Sequence, residues 1–163
     1  MMFKDYTYFY FDLDRNIFDT FDKYKNPIWA RQMIPPFNKI DDYTIEDDCL
    51  STCVLQKGVN EYIKMLTDNN KKISYLSRGA NLNIQENLQP SKMILDIFNL
   101  TQYINHNKLL LHKLDKKTKH IKNSDEFTIF FDDSPEELQE MSINHPKIKC
   151  VDRSSFVSWI ELL

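Results

Sequence analysis

The chain has 163 residues, 42% of them hydrophobic and 28% charged, which suits one compact domain and leaves too little chain for two. The formal net charge is -3, with acidic and basic residues scattered along the whole sequence, so no basic stripe indicates a nucleic-acid partner. With Gly58 and Gly79 as its two glycines, the sequence can contain neither a glycine-rich dinucleotide-binding turn nor a P-loop.

Cysteine and histidine usage argues against structural zinc and against disulfides. Three cysteines are too few for a zinc site without histidine help, and the four histidines form no metal-binding pattern. The small, odd number of cysteines, in a chain that opens Met1-Met2-Phe3 without an apolar signal segment, predicts a reducing compartment. No run approaches the roughly 20 apolar residues of a membrane span. We therefore expect a soluble, cytoplasmic protein with no membrane partner.

The first predicted element is a buried strand. It is the aromatic and β-branched run Tyr6-Thr7-Tyr8-Phe9-Tyr10-Phe11, and it ends at Asp12 and Asp14. The pattern over residues 15–36 is mixed and is broken by Pro27, which predicts a loop with a short helix.

A small hairpin is predicted next, outside the main sheet. Residues 40–55 hold two stretches of strand-forming residues around the acidic turn Glu46-Asp47-Asp48. Apolar residues then recur at helical spacing over residues 59–68, and the run Ile73-Ser74-Tyr75-Leu76 predicts a second short buried strand that ends at Ser77-Arg78.

The second half of the chain continues the alternation. A helix is predicted after Pro90, a brief strand at Gln102-Tyr103-Ile104, and an amphipathic helix over about residues 107–119. Phe127-Thr128-Ile129-Phe130-Phe131 repeats the first strand and ends at Asp132-Asp133. The remaining predicted elements are a helix at 136–141, a strand at 148–151 and a terminal helix at 154–162.

Strands that alternate with helices predict a parallel sheet with helices on both faces. In such a sheet the ligand site lies beyond the carboxyl ends of the strands. Three strands carry polar residues there: Asp12 and Asp14, Ser77 and Arg78, and Asp132 and Asp133. Clustered carboxylates need a positive partner, and a hard divalent cation such as Mg²⁺ is suited to oxygen ligands. The alternative for any one pair is that aspartate simply ends a strand as a turn former or helix cap.

The constellation resembles the haloacid dehalogenase superfamily of phosphotransferases. Its first motif matches Asp12-Leu13-Asp14 after a hydrophobic strand, its second matches Ser77 at a strand end, and its fourth matches Phe130-Phe131-Asp132-Asp133. The third motif, a lysine at a helix start, is best met by Lys108, although Lys113, Lys116 and Lys117 lie nearby and a solvated lysine is the alternative.

A closer likeness is to the magnesium-dependent phosphatase family. That family also carries Ser-Arg at its second motif, a Pro-Pro-Phe like Pro35-Pro36-Phe37, and Phe-Phe-Asp-Asp at its fourth. The resemblance implies a three-layer α/β/α, Rossmann-like core over the full chain. One departure is Asn16, where the family usually has threonine or valine.

The resemblance also implies a role for each carboxylate. Asp12 is expected to attack phosphorus and form an aspartyl-phosphate, while Asp14 protonates the leaving oxygen and then deprotonates water. The metal is expected to bind Asp12, the backbone carbonyl of Asp14, and Asp133. Asp132 is expected to support Asp133 without contacting the metal directly. By the same resemblance, three residues are expected to bind the substrate: Ser77, Arg78 and Lys108.

We therefore predict a magnesium-dependent phosphomonoester hydrolase without a large cap domain. The hairpin at about residues 38–55 is expected to form a flap over the metal edge, where its acidic turn would disfavour highly anionic substrates. The substrate is expected to be a phosphoprotein side chain or a small sugar or metabolite phosphate. Two alternatives stay open: a nucleic-acid end phosphatase, and a non-catalytic or carrier-directed module of the same fold.

Overall fold

The aromatic run at the start of the chain forms the central strand of a parallel sheet. The structure, a computed structural model, describes residues 1–81 and 83–163. In spatial order the strands are β10 (Lys149–Asp152), β9 (Thr128–Asp132), β1 (Tyr8–Phe11), β7 (Lys72–Ser77) and β8 (Lys108–Leu110), each parallel to its neighbours. Phe9, Tyr10 and Phe11 are all buried because β1 is flanked by strands on both edges and covered on both faces. The predicted strands at 6–11, 73–76, 127–131 and 148–151 are confirmed.

The helices pack into two hydrophobic clusters. The helices α1 (Val59–Asp68) and α2 (Pro90–Ile97) share a cluster with Phe9 and Phe11, whereas α3 (Pro135–Asn144) joins Tyr10 in the other. Successive side chains of a strand point to opposite faces, so the two clusters lie on opposite faces of the sheet. Among the described residues, no helix has the length and apolar character to cross a membrane.

The part of the chain that connects β1 to β7 forms a second sheet, which is antiparallel and five-stranded. In spatial order its strands are β3 (Pro27–Ile28), β2 (Phe18–Phe21), β6 (Thr52–Leu55), β5 (Thr44–Asp47) and β4 (Phe37–Asp41). The predicted hairpin is confirmed as β5 and β6. The prediction of a loop with one short helix over residues 15–36 is wrong, because β2 pairs with β6 there and β3 extends the sheet, leaving a 3₁₀ turn at Ala30–Gln32.

The predicted helix over residues 107–119 is also wrong. The apolar residues Leu109, Leu110 and Leu111 are consecutive, and they pack alternately into the two clusters on opposite faces of the sheet. That alternation belongs to a strand, and the segment forms β8 followed by a turn and a 3₁₀ turn at Lys117–His120.

Two shorter predictions are also wrong. The expected strand at residues 102–104 is a 3₁₀ turn at Thr101–Tyr103, and the expected terminal helix is two 3₁₀ turns, Arg153–Ser155 and Trp159–Leu162. Trp159, in the last of these turns, is fully buried.

Candidate functional site

The carboxyl ends of β1, β7 and β9 meet at one edge of the parallel sheet, where a cavity of about 500 Å³ opens. The side chains expected from three separate motifs line it together because parallel strands point the same way. The lining residues are Asp12, Asp14, Arg15, Trp29, Arg31, Ser77, Arg78, Lys113, Lys117, Asp132, Asp133, Ser134, Pro135, Glu136 and Glu137.

Three carboxylates and one ammonium form the floor of this cavity. Oxygen atoms of Asp12, Asp132 and Asp133 lie within 4.8 Å of one another. Lys117 Nζ lies 2.9 Å from Asp12 Oδ1 and 2.5 Å from Asp132 Oδ2, and its side chain is almost fully buried. Burial alone would lower the pKa of Lys117, but the charges of Asp12 and Asp132 outweigh it and raise the pKa. One cation facing three carboxylates leaves an excess of negative charge, and this oxygen-rich set fits a divalent cation.

Asp132 and Asp133 have different surroundings. Both oxygens of Asp132 are occupied, since Oδ2 accepts from Lys117 and Oδ1 accepts from the Ser134 N–H at 2.9 Å. Burial raises the pKa of Asp132, and the charge of Asp12 adds to the effect. Asp133 is only half-buried, and burial followed by the charge of Asp12 raises its pKa as well. This difference supports Asp133 as the carboxylate that is open to a metal and Asp132 as its support.

Asp14 is a carboxyl poised to hold a proton near neutral pH. It is buried at the edge of the cavity, where the Ala30 N–H donates to its Oδ1 at 2.9 Å. Burial raises the pKa of Asp14 to about 7; the Ala30 hydrogen bond opposes this shift and the charge of Asp12 adds to it. The 3₁₀ turn at Ala30–Gln32 thus fixes the orientation of Asp14.

The loop after β1 is held from both sides, and the departure at Asn16 lies within it. Arg15 adopts a positive φ of 61°, and its guanidinium stacks over the Trp29 ring at 4.1 Å from the centroid. Asn16 is fully buried, its backbone oxygen accepts from Trp159 Nε1 at 2.9 Å, and both polar atoms of its side chain lack a partner within the described structure. Residue 16 therefore points into the core, away from the cavity.

Ser77 and Arg78 both reach the cavity, as expected, but Arg78 is already engaged. Its guanidinium forms an ion pair with Glu137 at the start of α3 and donates to the Lys113 carbonyl at 3.3 Å. Arg78 therefore links β7, the turn after β8 and α3, while Ser77 lies buried at the strand end.

Lys108 does not lie where we expected it. It opens β8 opposite Tyr75, is exposed, and sits two positions before the residue opposite Ser77, on the amino side of the cavity edge. The lysine in the floor of the cavity is Lys117. Lys117 lies in a lysine-rich segment, residues 113–119, and no feature of the sequence distinguishes it from the other lysines there. Recognising β8 as a strand would have placed the turn after it at the edge of the sheet that carries the cavity.

The hairpin does not take its expected place over the metal edge. From the antiparallel sheet and its connections, the described residues that line the cavity are Trp29 and Arg31. Asp42 and Tyr43, at the β4–β5 turn, border α1 instead. Asp47 of the acidic turn is buried and accepts hydrogen bonds from the backbone N–H groups of Ile34, Cys49 and Ser51. The Asp47 carboxylate is therefore hydrogen-bonded to nearby backbone groups and does not line the cavity.

Sequence reasoning also missed Arg31 and Glu137, whose positions depend on how distant segments of the chain meet.

Comparison with known proteins finds no matching family model and no matching curated sequence. A function must therefore be inferred from the residues of the site.

Proposed function

We propose that this chain is a magnesium-dependent phosphomonoester hydrolase of the haloacid dehalogenase type, acting through an aspartyl-phosphate on Asp12. The observation that carries this proposal is the convergence of Asp12, Asp14, Ser77 and Asp133 around the buried Lys117. The three-layer core of that superfamily belongs to the same proposal, and the parallel sheet with hydrophobic clusters on opposite faces supports it.

Asp12 is suited to act as the nucleophile. One of its oxygens accepts from Lys117, which orients the carboxylate, and the other is left for attack on phosphorus. Attack forms the Asp12 oxygen–phosphorus bond and breaks the ester bond, while Asp14 in its protonated form gives its proton to the leaving oxygen. Asp14 then takes a proton from water, which attacks the aspartyl-phosphate, releases phosphate and restores Asp12. A pKa of about 7 suits Asp14 to both halves of this cycle.

The metal would be held by the side chains of Asp12 and Asp133 and by the backbone carbonyl of Asp14. When bound, Mg²⁺ supplies positive charge that offsets the repulsion between these carboxylates and an anionic phosphate ester. Ser77 would donate to a phosphoryl oxygen, and Lys117 would supply the positive charge that we first assigned to Lys108.

Hydrolysis of p-nitrophenyl phosphate tests the proposal most directly. We expect magnesium-dependent release of p-nitrophenol that chelator abolishes and that Asp12→Asn reduces by several orders of magnitude. Asp68→Asn, an exposed carboxylate at the end of α1, is the matched control and should retain full activity. Fluoroberyllate should inhibit by forming an adduct on Asp12.

Two outcomes would contradict the mechanism. Full activity in EDTA would rule out a requirement for the metal. Near-normal turnover by Asp12→Asn would rule out the covalent intermediate on Asp12. A folded protein that binds Mg²⁺ without any turnover would instead identify a non-catalytic module.

A further inference from the structure

Three cations that line the cavity, Arg15, Arg31 and Lys113, have no carboxylate within salt-bridge distance among the described residues. Arg15 stacks on the Trp29 ring, which leaves Arg31 and Lys113. Arg31 and Lys113 lie on separate segments, the 3₁₀ turn at Ala30–Gln32 and the turn after β8. Within the part of the chain that the structure describes, the Arg31 guanidinium donates only to the Arg78 carbonyl, at 3.4 Å. Among the described carboxylates, none lies within salt-bridge distance of either side chain. By contrast, Lys117 and Arg78 are ion-paired with residues of the same cavity.

The same two residues also line a second cavity. A groove of about 650 Å³ adjoins the first one, lies between the segment at 31–35 and residues 80, 81, 83 and 84, and includes His112. Arg31 and Lys113 line both spaces, so they stand where the two meet. A ligand whose phosphate lies on the cavity floor shares one cavity with these two side chains.

We propose that Arg31 and Lys113 bind a second anionic group of the substrate, a phosphate or a carboxylate, on the molecule whose phosphate ester reacts at Asp12. This inference rests on the proposed function and narrows its substrate to small molecules that carry a second anionic group besides the reacting phosphate, such as sugar bisphosphates and phosphorylated sugar acids. A cavity of about 500 Å³ suits a ligand of that size.

The acidic turn does not oppose such a substrate. We expected it to disfavour highly anionic molecules, but Asp47 is buried in its own loop and the hairpin does not line the cavity. In the lining of the cavity, Arg31 and Lys113, together with Arg15, outnumber the one exposed carboxylate, Glu136. Cations that converge from two segments can hold an anion at a fixed place relative to the reacting phosphate.

Paired substrates that differ only in the second anion test this inference. The pairs are fructose 6-phosphate with fructose 1,6-bisphosphate, and glycerol 3-phosphate with 3-phosphoglycerate. We expect kcat/KM at least about tenfold higher for the member of each pair that carries the second anionic group, mainly through a lower KM. The preference should shrink as NaCl rises from about 0.05 M to about 0.5 M, because salt screens charges at an open cavity mouth.

Variants connect the preference to the two residues. The double variant Arg31→Gln with Lys113→Gln should lower kcat/KM for the substrate with a second anionic group at least about tenfold more than for p-nitrophenyl phosphate. Arg31→Lys keeps the charge and should retain most of the preference. Lys108→Gln, an exposed lysine outside the cavity, is the matched control and should leave the preference unchanged. Thermal melts identify any variant that fails to fold, and Arg31→Lys then provides the comparison.

The outcomes separate this inference from the proposed function. Absence of all hydrolysis, including that of p-nitrophenyl phosphate, overturns the proposed function. Hydrolysis of p-nitrophenyl phosphate without any preference for substrates with a second anionic group, or with a preference that the double variant keeps, overturns only this inference. A preference confined to phosphoserine peptides with acidic flanks would replace the small molecule with a peptide and overturn the substrate class.

Discussion

Lys117 is the residue on which the charge balance of the site depends. Its ammonium is the buried cation that contacts both Asp12 and Asp132, and all three side chains are at least nine-tenths inaccessible. Removing one partner of a buried ionic group leaves the remaining charges without compensation, which costs more than the pair itself contributes.

We expect Lys117→Met to abolish phosphatase activity and to destabilise the metal-free protein by about 3 kcal/mol at neutral pH. Lys108→Met is the control, because that side chain is exposed and lies on the amino side of the site. Urea unfolding and p-nitrophenyl phosphate turnover measure the two effects. Equal behaviour of the two variants would show that Lys117 does not carry the role assigned to it.

The carboxylates make the stability of the metal-free protein depend on pH. Burial raises the pKa of Asp14 to about 7 and also raises that of Asp132, so the folded state holds protons that the unfolded chain releases near pH 4. Because the folded state binds more protons in this window, its stability falls as pH rises from about 4 to about 7.

We therefore expect the free energy of unfolding in EDTA to drop by about 1 to 3 kcal/mol between pH 5 and pH 7.5, because of these raised pKa values. Adding Mg²⁺ at the higher pH should restore it, since a ligand that binds only the folded state stabilises that state. Asp14→Asn should show a shallower fall. A flat profile in EDTA would mean that these carboxyls do not retain their protons on folding.

At the residue scale, the sequence predicts what lies at strand ends and little of what comes to meet them. Asp12, Ser77 and Asp133 follow recognisable buried strands, and a strand end fixes the edge of the sheet at which a side chain emerges. Lys117 and Arg31 come from turns, and their positions depend on long-range packing that no local pattern records.

Among the elements, α1 shows how a single glycine fixes a junction. Gly58 caps the helix with φ of 85°, and a Cβ built there would lie 2.6 Å from the backbone nitrogen and Cγ1 of Ile160. The C-terminal 3₁₀ turn thus rests directly on the start of α1, at a place where only glycine avoids both a steric clash and backbone strain.

We expect Gly58→Ala to destabilise the protein by about 2 to 4 kcal/mol, because it combines a disfavoured backbone conformation with a clash against backbone atoms. Gly79→Ala is the control, since its Cβ would meet a movable side-chain oxygen, Ser91 Oγ, at 3.1 Å. Chemical denaturation compares the two. A larger loss for Gly79→Ala would contradict the packing described at Gly58.

Element prediction succeeded where the period of apolar residues was unambiguous. The runs that became β1 and β9 are buried on both faces, and α1 shows helical spacing throughout. It failed at β8, where three consecutive leucines fit either period, and at β2, a four-residue strand that depends on pairing with β6. Short segments of this kind take their conformation from partners distant in sequence.

At the scale of the whole molecule, the end of the chain supports the loop that carries the nucleophile. Trp159 is fully buried, contacts the Phe11 and Phe131 rings at 5.4 and 5.1 Å between centroids, and donates its indole N–H to the Asn16 carbonyl. The loop between Asp14 and β2 is therefore anchored by a residue more than 140 positions away.

We expect Trp159→Phe to lower the free energy of unfolding by about 1 to 3 kcal/mol, because the buried Asn16 carbonyl loses its partner and the smaller ring leaves a space. Turnover should fall with it, since the loop no longer holds Asp14 in one place. Val157→Ala, 88% exposed in the same segment, is the control. Unchanged turnover in a folded Trp159→Phe protein would mean that the anchor serves stability alone.

The positions of the two tryptophans also give the molecule two separate optical reporters. Trp159 lies in the core at 0% exposure, whereas Trp29 lies at the mouth of the cavity at 39% exposure, beneath the Arg15 guanidinium. Acrylamide should therefore quench Trp29 fluorescence selectively, and a ligand that fills the cavity should protect it. The blue-shifted emission of Trp159 should stay constant until the chain unfolds, so binding and unfolding can be followed in one cuvette without an added label.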